Sequence, residues 1–430
     1  MSAPSSSATT PTRFAFLSAA RRWYIVALLS LVAIINYFDR QSLSVVAPRF
    51  QVELHLSDQG YGDIVSLFLL ASAVSYAVAG WVTDWLGTRT SMGLFVGWWS
   101  LAEAATAFVR GTAQLATARF CLGLGEPGLW VAAPKAVGET LEEKHHSLAI
   151  GIYTLGATAG AVAALPVIAA VTTHLPWKSI FVLDGCAGLL WLPLWFLAYP
   201  RQKARPVVVD KLEERRKVAA IVPHQSSLKE VLANAKTWKL MVARGITDPV
   251  WYFYLFWFPK YLLEGRGFPL MKVARIGWIV YLFAGAGTLL GGVISGWLIR
   301  RGTAPIIAYR NTMLICAALL PLSPLAGITS SAAVSVGIAS VIALAHMAWL
   351  ITLSSGIIAL YPAAQLGKAF GLIAAGSALG GMFSTELVAL IVTHYGYLPV
   401  FFLMMFLHPL ALLLLWKTLK PKDAAAPTAI

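Results

Sequence analysis

Apolar runs as long as a membrane-crossing helix recur twelve times along the chain. A bilayer core about 30 Å thick takes roughly 20 helical residues. The runs cover residues 24–45, 61–82, 90–109, 113–135, 147–171 and 179–199, then 239–262, 274–299, 306–326, 331–357, 368–392 and 397–417. Polar breaks between them are short, except for the basic stretch from Arg201 to about Lys236. The pattern predicts an all-α membrane protein built from two six-helix bundles, 24–199 and 239–417. A linker at 200–238 joins them. Polar ends at 1–23 and 418–430 flank them, the first rich in Ser, Thr and Ala and expected to be disordered.

Composition agrees with this pattern. Of the 430 residues 58% are hydrophobic and 12% charged, and the mean hydropathy is +0.72. A soluble domain needs far more polar surface. Trp favours membrane interfaces and Gly the close packing of membrane helices, and the chain holds 16 and 35 of them. Cys121, Cys186 and Cys316 all fall in apolar runs without paired spacing, so they read as small hydrophobes. The net charge of +14 does not point to nucleic acid. If both termini are cytoplasmic, most Lys and Arg fall on cytoplasmic segments, with a cluster in the linker. That is the positive-inside pattern, and the charge is explained by topology and lipid headgroups. The first apolar run is too long for a cleavable signal peptide, and no small-residue cleavage site follows it.

The chain also repeats itself. Gly151, Gly156 and Gly160 in the fifth run match Gly371, Gly376 and Gly380 in the eleventh at identical spacing. A duplicated six-helix unit is the expected build of a secondary transporter.

Charges inside two runs carry the chemistry. The first holds Asn36, Tyr37, Asp39 and Arg40; the fourth holds Thr117, Arg119 and Glu126. Intramembrane charges are costly and usually face a bundle interior or a water-filled cavity. On a helix Asn36, Tyr37 and Arg40 share a face, and Asp39 points about a quarter turn away. Arg119 and Glu126 lie on one face, about two turns or roughly 10 Å apart. Guanidinium geometry matches a carboxylate, so Arg40 and Arg119 are candidates to clamp an anion. Asp39 and Glu126, desolvated, are candidates to exchange a proton near neutral pH.

The loop from Gly80 to Arg89 (Gly-Trp-Val-Thr-Asp-Trp-Leu-Gly-Thr-Arg) resembles the signature loop of the major facilitator superfamily. The resemblance implies a gating role for Gly80, Asp84, Gly87 and Arg89, latching the halves in one state. The second-half copy, Gly292 to Gly296, has Gly296 where an acid often sits. The segments Asn36–Arg40 and Arg119–Gly128 resemble the anion:cation symporter family within that superfamily. The run from Thr247 to Tyr261 is similar to its hexuronate-transporter branch. The resemblance covers about Arg22 to Lys417. It implies that Arg40 binds the substrate carboxylate, that Asp39 and Glu126 are the protonatable pair, and that Arg119 pairs with Glu126 or with substrate. Tyr37 would contact substrate hydroxyls. Asn36, Thr158, Trp251 and Tyr254 join it as candidate substrate contacts. Thr154 and Thr158, and the tenth-run stretch His346–Thr352, stand where more polar side chains are usual, so the site has fewer partners for a polyhydroxy acid.

The expected function is proton-coupled symport of an organic carboxylate, a hexuronate or related sugar acid, across a bacterial inner membrane. The partners are that small anion and the lipid bilayer. The carrier is expected to act as a monomer with no cofactor beyond the coupling proton and no metal. An anion exchanger without proton coupling is the alternative, and a ligand sensor signalling through the linker a remote one. No enzyme motif is present: no phosphate-cradling loop, nucleophile elbow or metal-ligand spacing. Glu103, Asp184 and Glu386 read as lone acids with no basic neighbour on their faces. Arg244 with Asp248 reads as an interfacial salt bridge, and His346 and His408 as packed or interfacial.

Overall fold

The structure, a computed structural model, describes residues 17–201 and 228–420. Most of the expected linker and most of both polar ends lie outside the described residues. Each expected span is helical. The first half has Ala19–Glu53, Asp58–Leu86, Thr88–Thr106, a broken fourth span (Thr112–Gly125 and Pro127–Thr140), Glu143–His174 and Ser179–Ala198. The second half opens with a short helix, Leu228–Ala233, before the seventh span begins at Ala235–Thr247. The eighth span is Leu270–Ile276 with Trp278–Arg300, and the ninth runs from Pro305 to Ile328. Ala332–Leu360, Ala363–Tyr395 and Leu398–Leu415 complete it. Among the described residues, eight helices are long and apolar enough to cross a membrane by length and composition. Several run past their apolar cores, because a helix continues into polar turns beyond the hydrocarbon.

Proline accounts for the irregular fourth and seventh spans. Proline has no N–H to donate and its ring clashes with the preceding turn. The fourth span breaks at Glu126–Pro127. In the seventh, Pro249 stands just before the wide turn Phe253–Trp257 and Pro259 just before the wide turn Tyr261–Gly265. Wide turns of this kind are rare and frequent at functional sites.

The glycine repeat has a three-dimensional meaning. A Cβ on Gly156 or Gly160 would collide with the carbonyl oxygens of Ser30 and Ile34 on the first span. A Cβ on Gly376 or Gly380 would collide with those of Met241 and Gly245 on the seventh. Small residues let these helices touch backbone to backbone. The contacts equate Ser30 with Met241 and Ile34 with Gly245, an offset of 211 in both. In that register Tyr37 corresponds to Asp248, and Arg40 to Trp251. The duplicated scaffold carries different chemistry in each half.

The halves meet unevenly. Call the face where the sixth span ends and the seventh begins the linker face. Hydrogen bonds that cross between halves, among the described residues, lie toward the opposite face. Ser44 donates to the Leu255 carbonyl (3.3 Å), Tyr61 to the Phe256 carbonyl (2.6 Å) and Ser66 to the Met382 carbonyl (3.1 Å). Gln59 donates to Glu386 (3.0 Å), so Glu386 is partnered from the other half. Lys260, fully buried, reaches Asp58 at 2.5 Å across the halves and also pairs with Glu264 on its own span. This face is closed by polar contacts as well as by Tyr61 edge-on to Trp257. Asp58→Asn is expected to weaken the closure. A cysteine placed at Ser44 in a background lacking the native cysteines should then react several-fold faster with a water-soluble maleimide. Unchanged labelling would show that apolar packing alone holds this face.

Candidate functional site

A cavity of about 500 Å³ lies between the halves. The first half contributes Tyr37, Arg40, Tyr76, Trp130, Thr154 and Thr158; the second contributes Arg244, Trp251, Tyr281, Thr288, Ser354 and Phe370. Ser354 and Phe370 are about two turns from the linker-face ends of their helices, Leu360 and Ala363. The cavity therefore extends from mid-span toward the linker face, away from the closed one. Guanidinium groups, hydroxyls and aromatic rings form its polar and ring surfaces. Among the described residues its lining has no carboxylate and no amide. A larger hollow of about 640 Å³ between the third and fourth spans is lined by groups such as Trp98, Leu101 and Phe108 and carries no charge. It offers nothing to an anion.

Arg40 is held from behind. Its Nε donates to Oε2 of Glu126 at 2.6 Å, with 11% of the Arg40 side chain exposed and none of the Glu126 side chain. The break at Pro127 places Glu126 here, at the end of one helix and the start of the next. The other Glu126 oxygen, Oε1, is buried without a protein partner. The Arg40 guanidinium lies 5.4 Å from the Tyr37 ring and 5.8 Å from the Phe68 ring. Asn36 is fully buried behind the wall, and its Oδ1 accepts from Trp130 Nε1 at 3.2 Å. It therefore orients an indole that lines the cavity, and does not face the cavity itself.

Arg119 belongs to a separate cluster. Its Nη2 lies 3.1 Å from Glu103 Oε2 and donates to Thr106 Oγ1 at 3.2 Å, while the guanidinium sits 5.1 Å from the Phe181 ring. In this conformation Arg119 is not paired with Glu126: Glu103, from the neighbouring third span, is its partner. Arg119 is absent from the cavity wall, and the void it shares with Arg40 is about 10 Å³, too small for an organic anion. Glu103 and Asp184 are likewise not lone acids. One carboxylate oxygen from each of Asp39, Glu103 and Asp184 lies within 4.8 Å of the others, and all three residues are buried. Both oxygens of Asp39 lack a hydrogen-bond partner. Sequence spacing could not show this, because the three acids come from the first, third and sixth spans.

The remaining candidates divide. Tyr37, Thr158 and Trp251 line the cavity. Tyr254 does not: it packs edge-on against Phe253 and Phe258, and its hydroxyl is buried without a partner. A wide turn in the seventh span rotates it away from the void. Arg244 and Asp248 do form the expected pair, at 2.6 Å, but Arg244 lines the cavity instead of the interface. His346 stacks parallel to Trp251 at 6.3 Å, and its Nδ1 is 3.2 Å from His408 Nε2, so both are packed behind the wall. In the loop between the second and third spans, Gly87 has φ 75°, a turn that favours glycine. Arg89 donates to the carbonyls of Tyr199 (3.0 Å) and Phe196 (2.7 Å), closing the end of the sixth span within its own half. Gly80 sits 3.9 Å, by its added Cβ, from Val131 of the fourth span. The side chain of Asp84 is outside the described residues.

Two helical halves around one central polar cavity, closed at one face, define a multi-pass membrane transporter rather than an enzyme. The chain belongs to the Major Facilitator Superfamily, whose sequence profile matches residues 29–356. It is 28% identical over 416 residues to the hexuronate transporter of Escherichia coli K12, covering 94% of this chain and 95% of that one. It is 28% identical to the galacturonate transporter of Dickeya chrysanthemi over 70% of this chain and 90% of the relative. Among solved structures, a bacterial homolog of the human lysosomal transporter Spinster, inward-facing and occupied, superposes with a TM-score of 0.71 at 18% identity, covering 96% of this chain and 100% of that one. A D-xylose–proton symporter gives 0.72 at 14% identity over 92% of this chain and 97% of its own. Those two likenesses concern the fold.

Proposed function

We propose that this carrier moves an organic carboxylate of the sugar-acid kind inward by symport with protons, across a bacterial inner membrane, with both termini cytoplasmic. The observation that carries the reading is Arg40, on the cavity wall, paired at 2.6 Å with a buried Glu126. Relatives named for hexuronate and galacturonate support the substrate class. One guanidinium cannot serve two carboxylates equally. When substrate takes Arg40, Glu126 loses its counter-ion in a buried site, where an unpaired charge costs several kcal/mol. It then takes up a proton. Charge balance supports the same coupling. Among the described residues, Asp39, Glu103, Glu126 and Asp184 surround only Arg40 and Arg119, so the buried group needs protons or other cations to approach neutrality. Asp39 is the second proposed proton carrier, placed beside Glu103 and Asp184 rather than on the wall.

With the linker face cytoplasmic, this conformation opens inward and the Lys260–Asp58 contact is an outer gate. The loop of Gly80, Asp84, Gly87 and Arg89 would act on the other face when the halves rock. The carrier is proposed to work as a monomer, with protons as its only coupling agent. In proteoliposomes, galacturonate should accumulate when the outside is made acidic and should stop accumulating when a protonophore collapses the gradient. Uptake that ignores the gradient but is stimulated by internal galacturonate would establish the anion-exchange alternative instead.

A further inference from the structure

We infer that the cavity holds a second anion anchor, Arg244, and that the carrier therefore selects open-chain sugar acids bearing a carboxylate at each end over those bearing one. The inference rests on the sugar-acid reading above and extends it. Among the described residues, Arg40 and Arg244 are the two charged residues on the cavity wall, one from each half, and the acids that pair with them stand behind the wall. From the described residues the void therefore presents two cations and no anion to its occupant. Fourteen per cent of the Arg244 side chain remains exposed there, comparable with Arg40.

Two observations argue against a merely structural Arg244. First, its partner Asp248 is four residues away on the same span. A pair within one helix braces nothing to anything else, yet it places two charges in the membrane interior. Such a pair on a surface helix stabilises only weakly, and burial makes it costlier. Second, the duplication does not require it. In the register fixed by the glycine contacts, Arg244 corresponds to Ala33, and the Arg40 position is filled by Trp251. The second half has its own cation at a different depth, nearer the linker face.

The chemistry matches what Arg40 does. Arg244 presents Nε and Nη2 to one oxygen of Asp248, at 2.7 and 2.6 Å, a fork that an incoming carboxylate can take over. The other Asp248 oxygen, Oδ1, accepts from Thr247 at 3.4 Å, a weak restraint. An acid with carboxylates at both ends would occupy Arg40 with one and Arg244 with the other, and so tie the two halves to one ligand. A single carboxylate engages one half only.

Galactonate and galactarate test this cleanly, since they differ only in a terminal hydroxymethyl against a carboxylate. Trp130 and Trp251 line the cavity, so binding to the purified full-length protein can be followed by tryptophan fluorescence. Galactarate should bind at least about tenfold tighter than galactonate, the ratio expected of one further charge-assisted contact. Arg244→Gln should bring the ratio to about one. Asp248→Asn, which removes the competing carboxylate, should raise it above the wild-type value. This second variant decides the matter if Arg244→Gln does not fold. If both acids bind wild type alike, or if the ratio ignores both substitutions, the second anchor is wrong and the sugar-acid reading stands. If neither acid nor galacturonate binds, the sugar-acid reading falls and takes the inference with it.

Discussion

Arg40→Gln abolishes measurable binding of every monocarboxylate, whatever its ring or chain. That is the largest effect expected of any single substitution here. Hydrogen bonds to charged groups contribute about 1.5–3 kcal/mol each. Arg40 offers a substrate carboxylate a fork of such donors, so the loss should exceed about a hundredfold in Kd. Part of the fork is already spent on Glu126 at 2.6 Å, and in the variant that carboxylate keeps a proton because nothing opposes its charge. The fold should survive, since glutamine still fills the site between Tyr37 and Phe68. Arg40→Lys keeps the charge but loses the fork, and should fall between the two, weaker than wild type by about tenfold. Fluorescence titration with galacturonate checks both. A Kd for Arg40→Gln within threefold of wild type would remove Arg40 from the binding site.

Glu126→Gln separates exchange from accumulation. The amide cannot release a proton, yet it can still donate to a substrate carboxylate or lie beside Arg40. Counterflow of labelled against unlabelled galacturonate should continue at a rate within a few-fold of wild type. Accumulation driven by an acidic exterior should drop to the level reached without a gradient. The same variant should bind substrate at least as tightly as wild type, because the competing carboxylate on Arg40 is gone. If Glu126→Gln still accumulated galacturonate against its gradient, proton coupling would have to reside wholly in Asp39, Glu103 and Asp184.

Sequence pattern made the architecture legible because hydrocarbon imposes a strict length on each span and glycine spacing betrays close helix contacts. Gly156, Gly160, Gly376 and Gly380 all meet carbonyls of the first span of their own half. The local motif around Arg40 was also legible, since Tyr37 and Arg40 share one face of one helix and both reach the cavity. What failed was pairing between spans. Arg119 and Glu126 lie on one helix, but Pro127 breaks the span at Glu126, and each finds its partner elsewhere. Glu103, Asp184 and Glu386 have no opposite charge at helical spacing, yet each meets polar groups from other spans. Tyr254 was misplaced because the wide turn Phe253–Trp257 changes the helical phase that spacing assumes. Arg244 looked interfacial by its distance from the linker. Only the open space between the halves shows that it faces the same void as Arg40.

The most direct test of the account is the proton count on binding. Calorimetric titration of purified protein with galactonate, in two buffers of matched pH and different ionisation enthalpy, gives the protons taken up per ligand bound. About one proton per galactonate should enter wild type, and none should enter Glu126→Gln. Tight galactonate binding to wild type with no proton uptake in either buffer would contradict the exchange of carboxylates at Arg40 on which the account stands.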